Sequence, residues 1–396
     1  MTSSSKGRRP SGAATSTRLR VTMAAFKSAI WAALMLAAMV AFLSPRQFGE
    51  RCMLAFGFLL TTGLGGLFFV LLHHLLQARW SSAAVVHMRA AVELIAWSMP
   101  LLVPIALSSN ESWPWLVPRG EEHVRNAFAG IYHQAPFVLT RLAACCLAWL
   151  LLAFWYTHDE TASVRRGQRS TRLRRLQFWS GPSLVVFALT VTSFSFDWVM
   201  SMQRGWHSAV LGVYVFAGAV PAALAVLALV TLGLETFGIG PERSPIEERH
   251  DIGKLLFGFT VFWAYIAFSQ YLLIWYADIP SETAFYLLRT GPAWRALTLW
   301  LIVFHFVVPF AMLLSARAKR SPLWLALAAL SMLGGHYLDW YWLVLPALRT
   351  RGAAFGFADA STAAISWLAI GWVMVRGFAR NSPMTVENRA QASAAE

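Results

Sequence analysis

The sequence predicts an all-α, polytopic membrane protein of about ten transmembrane helices, and three observations carry that expectation. Of its 396 residues, 57% are hydrophobic, only 13% are charged and 19 are tryptophan, a composition foreign to a soluble domain. Apolar stretches long enough to cross a bilayer recur along the whole chain. Lys and Arg gather in the segments between those stretches, as membrane topology requires. The net charge of +14 would suggest nucleic acid if it were spread over a soluble surface. Here the loops and tails account for it, so membrane lipids are expected partners and nucleic acid is not.

Residues 1–20 are rich in Ser and Arg with no apolar face and read as a basic cytoplasmic tail. One ten-helix domain is expected over 21–378, with a second cytoplasmic tail over 379–396. The spans read as 21–43, 52–76, 84–107, 135–157, 178–198, 208–234, 252–276, 292–316, 322–345 and 359–378. The first exceeds a signal-peptide core in apolar length and is expected to be retained. The stretch 250–280, HDIGKLLFGFTVFWAYIAFSQYLLIWYADIP, reads as the organising one. It carries one charge, Lys254, between Ile252 and Tyr276, and it places Tyr265 and Ser269 on one helix face beside Gln270. Polar groups at that depth need partners, because hydrocarbon offers none: they bind neighbouring helices or line a path for a ligand or protons.

An even number of spans puts both termini on one side. The segments on that side hold nineteen Lys and Arg, six of them between Arg165 and Arg175, against nine in the opposite loops. Both termini are therefore expected in the cytoplasm. The longest external loop, 108–134, carries Trp113, Pro114, Trp115 and Pro118 and is expected to lie along the membrane boundary. No segment outside the spans is long enough to bury a core, so any catalytic head is expected from another polypeptide.

Cys52, Cys145 and Cys146 fall in apolar runs, with no CxxC, CxxCH or four-cysteine set. Iron–sulfur and covalently attached haem centres are excluded on ligand grounds, and no cofactor of the chain's own is expected. Ionisable residues inside the spans are costly and are the candidates for function. Towards the cytoplasm lie His73, His74, His87, Arg89 and Glu93, where Arg89 and Glu93, four apart, can form a structural ion pair or a proton entry. Towards the outside lie Arg141, Asp197, His207, Asp278, His305, and the pair His336 and Asp339, three apart on one face. A carboxylate beside an imidazole is the arrangement that takes protons from a quinol or delivers them outward, unless Asp339 only fixes the His336 tautomer. His305 and His336 also offer one pair able to ligate a haem b.

Three stretches resemble one family: SFDWVMSMQRGWHSAVLGVYVFAGA at 195–219, the 250–280 stretch already quoted, and HYLDWYWLVLP at 336–346. They are similar to the second large membrane subunit, of the ActF type, of alternative complex III. That complex is a bacterial quinol:cytochrome c or quinol:electron acceptor oxidoreductase, and the subunit is related to the NrfD and polysulfide reductase membrane anchors. The resemblance implies an NrfD-like fold of ten helices, eight of them in two four-helix bundles. It implies as partners a sister NrfD-like membrane subunit, an iron–sulfur protein, and multihaem and monohaem cytochromes c. Quinol oxidation is associated chiefly with the sister subunit. This type is labelled quinone-binding, with menaquinone or ubiquinone as the candidate ligand, and has been suggested to carry proton half-channels. Carried over by motif, Asp197, His207, Asp278, His336 and Asp339 belong to that polar interior. A stand-alone proton-coupled transporter, a haem b anchor and an inert anchor for peripheral redox proteins are the competing readings.

Overall fold

The computed structural model describes residues 23–25, 27–32, 35, 39, 45–77, 82–107, 135–158, 169–203, 206–236, 245–348 and 356–380. Among them there are helices and connecting turns and no strand. In chain order α1 is Pro45–Leu76, α2 is Ser82–Ser98 and α3 is Leu102–Leu107, the last two joined by a 3-10 turn at Met99–Leu101. Then come α4 (Ala135–Thr157), α5 (Arg169–Trp198) and α6 (Leu211–Thr236). Next are α7 (Pro245–Ala277), the short α8 (Pro280–Leu287) and α9 (Pro292–Ile302). A π-helical turn at Val303–Val307 leads from α9 into α10 (Val308–Leu313). Finally α11 (Ala316–Arg320) turns the chain into α12 (Pro322–Leu348), and α13 is Phe357–Arg380. Five helices, α1, α7, α8, α9 and α12, open on a proline, whose fixed φ suits the first helical position and whose missing N–H is not needed there.

Seven segments of the described residues are long and apolar enough to cross a membrane: Phe48–Leu76, Ala84–Leu107, Pro136–Thr157, Thr171–Met202, Leu211–Thr236, Ile246–Ala277 and Pro292–Leu313. This is a multi-pass, all-helical architecture, and each of the seven overlaps an expected span. The helices α12 and α13 are 27 and 24 residues long, or about 40 and 36 Å, but His336, Asp339 and the aromatics of α12 dilute its apolar character. The expected first span, 21–43, is described only at residues 23–25, 27–32, 35 and 39, which are helical. The 108–134 loop, residues 1–20 and residues 381–396 lie outside the described residues.

The centre of the bundle differs from the expectation. The most apolar windows of α1 and α6 are 94% and 89% buried, whereas that of α7 is 28% buried. The two central helices are closer to uniformly apolar and carry glycine and alanine where they cross. A Cβ on Gly65 would sit 2.1 Å from the Ala219 carbonyl oxygen, so this backbone approach requires glycine. The 250–280 stretch lies instead at the periphery. Tyr265 and Phe268 point outward, while Trp263, Ile266 and Gln270 point in.

Two other boundaries differ for a visible reason. The fifth span begins at Arg169 rather than 178, because the arginine-rich run continues the helix. There the Arg172 guanidinium donates to the Trp155 and His158 carbonyls, capping the exposed C-terminal end of α4. The eighth span is interrupted at mid-length by the π turn. In that turn the Val308 N–H donates to the Val303 carbonyl, and the next N–H in register would belong to Pro309, which has none. The freed Phe304 carbonyl accepts from the Ser331 hydroxyl of α12 at 2.8 Å instead.

Candidate functional site

Three of the sequence candidates converge inside the bundle. His305 comes from the π turn, and His336 and Asp339 come from α12; all three are buried. Gly335 makes the convergence possible. A Cβ there would lie 2.5 to 2.7 Å from the N, Cα and Cβ of His305, so α12 and the π turn meet in direct backbone contact.

Asp339 is the focus. Tyr214 of α6 donates its hydroxyl to Asp339 Oδ1 at 2.6 Å, and Trp263 of α7 donates its indole N–H to Oδ2 at 3.3 Å. His305 Nδ1 lies 4.0 Å from the same Oδ2. The Trp263 ring stacks on the His305 imidazole with centroids 3.9 Å apart. The carboxyl therefore has one oxygen committed to a strong donor. The other faces an imidazole just beyond hydrogen-bond reach.

His336 is held from the opposite side, and its tautomer follows from counting protons. The Thr61 hydroxyl of α1 has a single hydrogen, donated to the Gly57 carbonyl at 2.7 Å. Its oxygen accepts the Trp340 indole N–H at 3.0 Å, and His336 Nε2 lies 2.9 Å away. With the hydroxyl proton used, Nε2 must be the donor and Nδ1 the bare acceptor. Among the described residues, His336 Nδ1 and both ring nitrogens of His305 have no hydrogen-bond partner. Asp339 thus does not set the His336 tautomer, as one sequence reading had it; Thr61 does. Each neutral imidazole keeps one nitrogen able to accept, and with His305 Nδ1 4.0 Å from the buried carboxyl the cluster can receive, hold and pass on a proton after small movements.

The remaining candidates lie elsewhere. Asp197 forms a two-pronged ion pair with Arg141, at 2.7 and 2.9 Å, tying α4 to α5. His207 and Asp278 are exposed, and Asp278 occupies a left-handed turn at φ 47° between α7 and α8. His87 and Glu93 separate into two contacts. His87 Nδ1 lies 3.8 Å from Glu248 of α7, and Glu93 lies 3.4 Å from Arg376 of α13. The expected polar interior running from Asp197 to Asp339 is thus resolved into one buried cluster and several separate pairs.

Sequence reasoning missed the residues that hold the cluster. Tyr214, Trp263, Thr61 and Trp340 read as apolar or weakly polar packing positions. The available signal was that Tyr214 and Trp263 fall inside two of the three family-like stretches, while His336 and Asp339 open the third. Arg289 was also passed over. It is buried, has no carboxylate in contact among the described residues, and donates to the Trp342 and Leu343 carbonyls at 3.0 and 3.2 Å and to that of Phe285. Pro346 cannot donate to Trp342, so Arg289 fills the gap in the α12 ladder. Burial lowers its guanidinium to about 9, still charged at neutral pH. The Phe285 and Trp342 rings sandwich the cation at 3.6 and 4.5 Å. Another buried pair, Arg51 with Asp359 at 3.2 Å, joins the starts of α1 and α13.

The cluster does not fit a haem. Backbone contact at Gly335, the Trp263 ring over one face of His305 and the Thr61 bond at His336 Nε2 leave no room for a porphyrin between the two imidazoles. No family model matches the chain, and no curated protein matches it.

Proposed function

We propose that this chain is an integral-membrane subunit of a respiratory quinol oxidoreductase of the alternative complex III type, in which the Asp339 cluster handles protons. On this reading the chain scaffolds periplasmic haem and iron–sulfur subunits beside a sister membrane subunit, and electrons travel on those partners. One observation carries the proton role: a buried mid-bundle carboxyl with the His305 imidazole 4.0 Å from its Oδ2. Such a group is expensive to keep in a membrane and is expected where protons move. The meeting of all three family-like stretches at this carboxyl supports the family part of the proposal.

The chemistry required of the chain is modest. Asp339 Oδ2 carries or releases a proton, Tyr214 holds Oδ1 in either state, and His305 Nδ1 takes the proton once the 4.0 Å gap closes. The π turn supplies the local play for that closure, since such turns mark functional sites in helices. A quinone headgroup fits the cluster less well than a proton, because Asp339, His305 and His336 are only 2%, 0% and 1% exposed.

Ten spans in an NrfD-like arrangement, with both termini cytoplasmic in a bacterial inner membrane, complete the proposal. Seven segments of clear membrane character, with α12 and α13 long enough to join them, support that number. The nineteen-to-nine charge split supplies the orientation.

A proton-coupled transporter is the second reading, favoured by the interrupted helix beside a buried carboxylate at mid-span. Purification from the native membrane separates the two. Copurification with a multihaem cytochrome c and an iron–sulfur protein is the expected result; a chain that purifies alone and moves protons in liposomes without a quinol would overturn it.

A further inference from the structure

A groove of about 540 Å³ opens on the lipid-facing side of α12, walled by Phe304, Val308 and Met312 and bounded by Leu327, Gly334 and Trp367. Its lining is apolar apart from the hydroxyls of Ser331 and Tyr337, and both are committed. Ser331 donates to the Phe304 carbonyl and Tyr337 is hydrogen-bonded to Thr362. A polar headgroup would find no partner in it, whereas a hydrocarbon chain needs none. A Cβ on Gly334 would meet nothing within 4 Å, so the floor of the groove is open.

The groove has a direction. It follows α12 from Leu338 down to Leu327, and continuing down the same helix leads to α11. Helical rise places Leu327 about 10 Å and Leu338 about 27 Å from Arg320 along the axis. At that end α11 carries Arg317, Lys319 and Arg320 in five residues, with Arg317 and Arg320 exposed. Trp324, 47% exposed, stands between the arginines and the groove, where an indole marks a membrane–water boundary. Lys319 is turned away, over the Phe257 ring. A basic rim, an interfacial tryptophan and an apolar channel thus lie in the order of an anionic phospholipid's own parts. On the topology proposed above, this rim faces the cytoplasmic leaflet, where anionic lipid attracts basic residues by about 1 kcal/mol each.

We propose that the α12 groove is a binding site for one anionic phospholipid, with an acyl chain along Leu327–Leu338 and the phosphate against Arg317 and Arg320. The inference rests on the chain's being membrane-embedded with the topology proposed above, and it stands apart from the respiratory reading.

The test is native mass spectrometry and lipid extraction of the protein reconstituted in nanodiscs of mixed phosphatidylglycerol and phosphatidylethanolamine. The wild type should retain phosphatidylglycerol selectively. Arg317→Gln with Arg320→Gln should lower that retention about thirtyfold. Gly334→Leu, which projects a side chain into open space, should displace the lipid without unfolding the helix. Retention of phosphatidylethanolamine to the same extent, or of phosphatidylglycerol unchanged by either variant, would overturn the proposal. So would a prenylquinone in the groove of protein purified from native membranes, or inorganic phosphate bound at the arginines irrespective of Gly334→Leu.

Discussion

Thr61 shows how one small side chain sets the chemistry of a buried site. Its hydroxyl has one proton, the Gly57 carbonyl takes it, and Trp340 and His336 must both donate to the oxygen that remains. Valine at that position has nearly the same shape and no acceptor. Thr61→Val therefore leaves two buried N–H groups bare, each costing on the order of 1–3 kcal/mol. The fold should survive with a lower melting temperature in detergent. Nitrogen chemical shifts of labelled His336 should lose the single Nε2–H tautomer. An unchanged tautomer in that variant would mean that something other than Thr61 fixes the imidazole. Asp339 shows the same economy: Tyr214 and Trp263 stand 125 and 76 residues away in sequence and supply its donors. The pairing His336–Asp339 was legible because it is local. The donors were not, since an aromatic in an apolar run gives no sign of where its polar tip points.

Among the elements, α12 and the interrupted α9–α10 helix define the site, and Gly335 sets how closely they approach. Gly335→Ala places a methyl carbon 2.5 Å from the His305 Cα, in a contact with backbone on both sides. Neither backbone can rotate away. The variant should lose about 1–3 kcal/mol or more, and His305 should move off Asp339. Ser331→Ala is a milder test of the same contact, since it strips the Phe304 carbonyl of the donor that Pro309 cannot supply. Thermal unfolding of both variants, compared with Gly334→Ala where the space is open, checks the ordering. Much of the element pattern was readable in the sequence. The span expected at 135–157 coincides with α4, and prolines mark five helix starts because they suit the first turn. The π turn was not readable, because its cause is a proline acting on a carbonyl five residues earlier together with a serine from another helix. Gly65, at the central helix crossing, was not readable either, because a glycine in an apolar run gives no sign of which backbone it meets.

At the scale of the molecule, charge and burial give separate information. Burial places α1 and α6 at the centre and leaves α4, α5, α7 and the α9–α10 helix with broad apolar faces outward, as lipid or partner helices require. That arrangement corrects the prominence of the 250–280 stretch, whose aromatic density reflects an outer position as much as a functional one. The proposed orientation rests on charge. Reporter fusions after Glu396 and within residues 165–175 should both behave as cytoplasmic, and alkaline phosphatase activity from both would reverse the topology. On that proposed orientation the basic α11 lies on the cytoplasmic side and the Arg289 sandwich on the outer side, so one pair of fusions bears on both.

Proton handling by Asp339 is the claim on which the functional account stands, and quinol-driven turnover with proton release in proteoliposomes addresses it most directly. Asp339→Asn removes the titrating group while keeping its size and an acceptor for Tyr214. Asp339→Glu keeps the titration and changes the reach. The account predicts that both variants assemble with the haem and iron–sulfur partners. Asp339→Asn should lose proton release and at least ~100-fold in turnover, in the range that positioned proton-transfer groups contribute. Asp339→Glu should retain a measurable fraction of both. An Asp339→Asn complex that turns over at the wild-type rate and releases the same number of protons per quinol would contradict the account.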